Sequence, residues 1–82
     1  MLIVKILGSG CANCKRLEEE ARAALESAHP AIEFEIIKVT DYADIMGYGV
    51  MSTPGLVMNE QVVSTGRVPK RDQILEWAAS HQ

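Results

Sequence analysis

The stretch Gly8-Ser9-Gly10-Cys11-Ala12-Asn13-Cys14-Lys15 separates two segments of different periodicity and holds both cysteines of the chain. Before it, Leu2–Leu7 is apolar on both alternating sets except at Lys5, and Ile3, Val4 and Ile6 are β-branched. That pattern predicts a strand buried on both faces, in the middle of a sheet flanked by helices. After it, Cys14, Leu17, Ala21, Ala24, Leu25 and Ala28 recur at spacings of three and four, while Glu18, Glu19, Arg22 and Glu26 fall largely elsewhere. This predicts an amphipathic helix from Cys11 or Ala12 to about Ala28. The C-x-x-C pair thus falls where a strand hands over to a helix N-terminus. Unsatisfied N–H groups and a partial positive charge there stabilise anions such as a thiolate. A cysteine so placed has its pKa lowered from about 8.5 into the range of roughly 3.5–7.5. The expected chemistry is that of a reactive dithiol.

The other elements follow from simple signals. His29-Pro30 ends the helix, because proline disfavours helix in the residue before it. Ile32 to Val39 alternates apolar and charged residues at its start, as a half-exposed strand near a sheet edge does. Thr40-Asp41 supplies an N-cap for a short helix from Tyr42 to Met46, with Gly47 as its stop. Leu56-Val57-Met58 and Gln61-Val62-Val63 read as a hairpin about Asn59-Glu60, although Glu60 stands where glycine is usual. Gly66 breaks the chain again, and Pro69 opens a last helix through Ile74, Leu75, Trp77 and Ala78. The order β-α-β-α-β-β-α is that of an α/β fold with a four-stranded mixed sheet flanked by helices. Its first strand would be central, with the hairpin antiparallel on one side. The dithiol then sits at the C-terminal end of that strand, the edge of an α/β sheet where sites usually lie.

Size and charge narrow the function. Eighty-two residues fit a single domain, 1–82. The net charge of −3 and pI near 5.2, with no block of Lys and Arg, argue against a nucleic-acid or anionic-membrane partner. The opening apolar run is far short of a signal-peptide core or a spanning helix, so the expected compartment is the cytoplasm. In a reducing compartment cysteines are more often catalytic or metal-binding than structural. A bridge closing a four-residue loop would contribute only about 2 kcal/mol by chain entropy, against about 4.7 kcal/mol for a hundred-residue loop. Chemistry explains the pair better than stapling does.

With Cys11 and Cys14 at the end of a first strand, and Ser52-Thr53-Pro54 ahead of a hairpin, the chain resembles the thioredoxin fold. Over nearly its whole length, including Gly49-Val50-Met51-Ser52-Thr53-Pro54 and Gly66-Arg67-Val68-Pro69, it is similar to the small prokaryotic thioredoxin-like proteins called redox-active disulfide proteins. The resemblance implies a compact thioredoxin-like fold and a thiol–disulfide oxidoreductase. Cys11 would be the exposed nucleophilic thiolate and Cys14 the buried resolving cysteine. Thr53-Pro54 would be a cis-proline bond packed beside the disulfide, and Gly66 the glycine that lets a substrate chain approach. The implied partners are disulfide-containing protein substrates and an upstream thiol reductase. A monomer is expected, with no metal and no cofactor beyond the Cys11–Cys14 disulfide itself. The pattern departs from typical thioredoxins at Gly10, which stands in the tryptophan place, and at Ala12-Asn13, which replace Gly-Pro. Residues between the cysteines tune thiolate stability and hence redox potential, roughly 30 mV for about 1.4 kcal/mol.

In the expected cycle the Cys11 thiolate attacks a substrate disulfide and Cys14 resolves the mixed disulfide. Residues i and i+3 on a helix place their Cβ atoms about 5–6 Å apart, from which modest adjustment reaches disulfide geometry. Lys15 and Arg16 either add positive potential or are solvated first-turn side chains. Lys5 either assists proton transfer to Cys14 or snorkels to the strand edge. Tyr48 and Met51 either floor a substrate groove or belong to the core, and Arg67 either steers an acidic partner or is plainly solvated. Trp77 reads as core; His29 and His81 read as ordinary exposed residues. Two other functions fit a C-x-x-C pair. One is a copper(I) or other soft-metal carrier, although Ser9 stands where similar metallochaperones have methionine. The other is a non-catalytic interaction module whose dithiol is only a redox switch. A closed zinc site needs four ligands, and His29 lies about 27 Å along the helix from Cys11.

Overall fold

The computed structural model of the chain describes residues 1–8, 10, 12–28 and 31–81. Along them run β1 (Leu2–Leu7), α1 (Ala12–Glu26), β2 (Phe34–Val39), α2 (Tyr42–Gly47), β3 (Gly55–Met58), β4 (Gln61–Thr65) and α3 (Arg71–Ser80). Among the described residues the strands form one sheet of order β2-β1-β3-β4. β1 pairs in parallel with β2 and antiparallel with β3, and β3 pairs antiparallel with β4. The architecture is the α/β one that the element order implies, and it agrees with the thioredoxin-like fold that the resemblance implies.

Alternation along β1 separates two apolar clusters. Leu2, Val4 and Ile6 point to one face and join Leu56 and Met58 of β3, Leu17, Ala21, Ala24 and Leu25 of α1, and Ile74 and Ala78 of α3. The small residues Ala21, Ala24 and Ala78 are fully buried there, which lets α1 and α3 approach each other and the sheet closely. Trp77 packs against this cluster from a partly buried position. Leu7 points to the other face and meets Val57, Ile45 of α2 and Val50. Each large aliphatic side chain buried in these clusters contributes about 1.5–3 kcal/mol of transfer free energy. The expectation of a first strand buried on both faces holds only in part. α2 is six residues long and covers the Leu7 end, while Ile3 and Lys5 on the same face remain half-buried.

Element ends differ in ways that have local causes. α1 finishes at Glu26, and the Ser27 and Ala28 amides close the last turn onto Ala23, Ala24 and Leu25 carbonyls. His29 and Pro30 lie outside the described residues. β2 starts at Phe34, two residues after Ile32, because its pairing with β1 begins at Leu2↔Phe34. Asp41 caps α2 as expected, its Oδ1 accepting from the Ala43 amide at 2.8 Å. Gly47 does not stop that helix: it is its last residue, and the chain turns through Gly49 at φ +76°. Pro69 likewise precedes α3, which opens at Arg71 after the extended residue Lys70. The Asn59-Glu60 turn has both residues at positive φ, +49° and +69°. A bulge between Leu56 and Val57 shifts the pairing so that Val57 lies opposite Val62.

Glu60 adopts this left-handed backbone and also pairs with Lys5. The Lys5 ammonium donates to the Tyr48 hydroxyl at 2.8 Å and lies 2.6 Å from Glu60 Oε1. The hydrogen bond from Lys5 is the main cause that holds the Glu60 carboxyl below its ordinary value. Glu60 and Tyr48 correspondingly raise the Lys5 ammonium. A depressed carboxyl stabilises the fold above its unfolded pKa and loses that contribution as pH falls through its folded value. In urea unfolding, the advantage of wild type over Glu60→Gln is therefore expected to be constant near neutrality. It should shrink as pH drops below the ordinary carboxyl value of 4.5.

Candidate active site

The sheet register assembles the site. Leu7 lies opposite Gly55, and Gly55 lies opposite Thr65. The residues that follow β1, precede β3 and follow β4 therefore meet at one end of the sheet. Gly8 continues the ladder past β1 by donating to the Val39 carbonyl at 2.9 Å, and Gly66 donates to the Pro54 carbonyl at 2.8 Å. The Thr53–Pro54 peptide is cis, Pro54 is buried and Thr53 is exposed. From the helical side, α1 delivers Cys14 in its first turn, only 5% exposed.

Gly8 is the packing centre of this cluster. A Cβ at Gly8 would overlap the Cys14 sulfur, touch Cys14 Cβ at 3.2 Å and come within 3.9 Å of Thr53 Cβ. The absent side chain is the space in which the sulfur sits. In the sequence Gly8 only opens the stretch between the strand and helix patterns, and no local pattern encodes a contact with a residue six positions on. Gly66 is a second close approach: at φ +73° it also leaves 3.2 Å between a would-be Cβ and Ser52 Cβ.

Of the expected site residues, Cys14, Thr53, Pro54 and Gly66 come together. Cys14 is disulfide-bonded. Cys11 lies outside the described residues, as does Ser9. Gly10, at φ +91°, and Ala12 and Asn13 are exposed around the α1 N-terminus. Lys15 and Arg16 are exposed in the first turn, and Arg67 is exposed beside Gly66.

Lys5 is not at Cys14. It points to the α2 face and is held by Tyr48 and Glu60, whereas α1 packs on the opposite face. Tyr48 is occupied by that contact and by the smaller apolar cluster, and Met51 is 89% exposed, so they do not form a common groove floor. His81 also departs from the expectation of a plain surface residue. Its Nδ1 lies 2.8 Å from the Trp77 carbonyl and its Nε2 2.7 Å from Gln61 Oε1.

A recess that the sequence does not announce opens beside the buried sulfur. It measures about 60 Å³ and is lined by Gly8, Gly10 and Cys14 together with Glu18, Lys38 and Thr40. Glu18 is one helical turn beyond Cys14, and Lys38 reaches it from β2 at 3.3 Å.

This arrangement, a cysteine in the first turn of α1 against a cis-proline loop, agrees with a family model described as thioredoxin domain that matches residues 2–79. The chain belongs to the thioredoxin family. It is 33% identical over 81 residues to a thioredoxin of Methanocaldococcus jannaschii, covering 99% of this chain and 91% of the relative. It is 38% identical over 74 residues to a thioredoxin of Methanothermobacter thermautotrophicus, covering 90% of this chain and 94% of the relative. Membership of the thioredoxin family supports thiol–disulfide oxidoreductase chemistry in general.

The Gly8–sulfur contact makes a direct prediction for this thioredoxin-family chain. Gly8→Ala overpacks the site and is expected to lower stability by about 1–3 kcal/mol. The loss should shrink when Cys14→Ala is added, since residues in contact are not additive. Urea midpoints of the two single variants and the double variant measure it.

Proposed function

We propose that this thioredoxin-family chain reduces or exchanges protein disulfides through Cys11 and Cys14. The observation that carries the reading is the convergence of Cys14, Thr53-Pro54 and Gly66 at the sheet end where α1 begins. In this reading Cys11 stands just ahead of α1, where free backbone N–H groups and the helix dipole favour a thiolate. Its sulfur attacks one sulfur of a substrate disulfide, forms a mixed disulfide and releases the first substrate thiolate. Cys14 then attacks the Cys11 sulfur, the Cys11–substrate bond breaks, and the second substrate thiolate leaves. The substrate gains two electrons and the protein is left with a Cys11–Cys14 disulfide. The burial of Cys14 supports unequal roles, because a shielded sulfur meets a tethered mixed disulfide before it meets substrate.

Gly10, Ala12, Asn13, Thr53, Pro54 and Gly66 form the substrate-binding rim in this proposal. Exposed small residues there and the absence of a side chain at Gly66 let an extended chain approach the sulfurs. The reading needs no cofactor other than the disulfide, no metal and no nucleic-acid partner. An upstream thiol reductase returns the electrons, and the protein works as a cytoplasmic monomer away from membranes. Among the described residues no helix is long and apolar enough to cross a membrane.

Two measurements test the mechanism. With dithiothreitol as electron source the protein is expected to accelerate insulin reduction, and Cys11→Ser is expected to abolish the acceleration. Cys14→Ser is expected to accumulate mixed disulfides that a reductant releases. If no mixed disulfide accumulates with any disulfide substrate, the assignment of attacking and resolving roles is wrong.

A further inference from the structure

We propose that the rim of this site selects its substrates by charge, taking segments in which carboxylates flank the disulfide. The inference rests on the exchange mechanism above and adds the class of substrate. It starts from a contrast. The chain as a whole carries a charge of −3, yet its unpaired cations collect at the end of the sheet that holds Cys14.

The eight Lys and Arg side chains fall into two groups. Lys5 lies against Glu60, Arg22 and Lys38 against Glu18, and Arg71 against Glu20. Lys15, Arg16, Arg67 and Lys70 are exposed and form no ion pair among the described residues. Topology brings these four to one end. α1 begins where β1 has ended, so Lys15 and Arg16 directly follow Cys14. Arg67 follows Gly66, whose amide donates to the Pro54 carbonyl. Lys70 precedes α3, which runs from there to the hairpin end, where His81 meets Gln61.

The carboxylates of this end do not cancel the cluster. Asp41 and Asp44 lie at the start of α2, which packs on the face of the sheet opposite α1. On the α1 and α3 side, Glu18 and Glu20 are held by the ion pairs above. That leaves Glu19 and Asp72 there against four cations.

Local stability does not explain the placement. The N-terminal end of a helix is the positive end of its dipole, so acids there stabilise it and bases do not. α1 is arranged the other way round. Its first turn holds no acid, Lys15 and Arg16 follow Cys14, and its last residue is Glu26 with no base in the final turn. Lys15 with Glu19 and Arg16 with Glu20 also run base before acid, the weaker order for residues four apart, and neither closes into an ion pair. Local preferences are broken in this way chiefly at functional sites. The dipole of α1 and the four cations attract the same sign of charge. Exposed charges at a rim act on partner choice and association rate, commonly by about tenfold to a thousandfold.

A potential that served only to favour the Cys11 thiolate would speed every substrate alike, whereas selection by charge speeds acidic ones over others. Three peptides separate these roles, each with one cysteine disulfide-linked to 2-thiopyridine and flanked by Glu, by Gln or by Lys. Stopped-flow mixing with the reduced protein follows the released thiopyridone. At about 0.01 M salt, where the Debye length is about 30 Å, wild type is expected to react with the Glu peptide about tenfold or more faster than with the Gln peptide. The Lys peptide should be slowest. At about 1 M salt, where the Debye length is about 3 Å, the ratio should fall toward one. Lys15→Gln and Arg67→Gln should each lower the low-salt ratio, and together by about threefold or more. Ala79→Glu, the same charge change at the hairpin end of α3, should keep it. Wild type that treats the three peptides alike at low salt overturns the proposal. So does a ratio that survives the double substitution, or a double variant that slows all three peptides by one factor. If no peptide releases thiopyridone faster with wild type than with Cys11→Ser, the exchange mechanism itself fails and charge selection with it.

Discussion

Leu7 opposite Gly55 and Gly55 opposite Thr65 is the constraint on which the rest of the molecule depends. Three chain segments far apart in sequence leave or enter the sheet at the same end because of it. A slip of one residue in either pairing would turn the side chains of β3 to the wrong faces, exchanging Leu56 and Met58 for Val57. The burial of both apolar clusters thus fixes the register, and the register places Thr53-Pro54 and Gly66 against the start of α1. Packing energy spent across the sheet appears as geometry at the sulfur.

The two faces of the sheet have different work. One carries α1 and α3 on a continuous apolar surface and holds Cys14 in the first turn of a well-packed helix. The other is covered by a six-residue helix and is completed by polar contacts, Lys5 with Tyr48 and Glu60. A lysine inside an inner strand is tolerated because short α2 leaves its end of the face open to solvent and because two partners satisfy its ammonium. The same geometry sets Lys5 on the face opposite α1, where Glu18 and Lys38 line the recess beside Cys14.

Much of this is legible in the sequence. The β-branched run Leu2–Leu7, apolar on both faces except at Lys5, and the three-and-four spacing from Cys14 to Ala28 reveal β1 and α1, since such patterns follow from local backbone geometry. Asp41 and the Asn59-Glu60 pair mark a cap and a tight turn by the same local logic. What the sequence leaves dark is set by contacts between distant residues. The direction taken by Lys5 depends on Glu60, fifty-five positions away, and the meaning of Gly8 depends on the sulfur that fills its missing side chain. α2 runs one residue past Met46, and α3 starts at Arg71 rather than Pro69, because Gly49 and Lys70 carry the backbone angles that bound those helices. Glu18 reads as one acid among several on a polar helix face until β2 brings Lys38 to it.

The far end of the sheet offers a last consequence. Asn59 receives the Ile3 amide on its side chain, returns its own amide to the Ile3 carbonyl, and donates through Nδ2 to the His81 carbonyl. His81 in turn lies against Trp77 and Gln61. One turn residue therefore ties the hairpin, the first strand and the end of the last helix into a clasp. The clasp and Cys14 occupy opposite ends of the same strands, about the length of β1 apart. Substitutions around the Cys14 sulfur lie far from the clasp, which keeps the strands aligned. A small chain of this kind has a hydrogen-bonded clasp at one pole and its buried cysteine at the other.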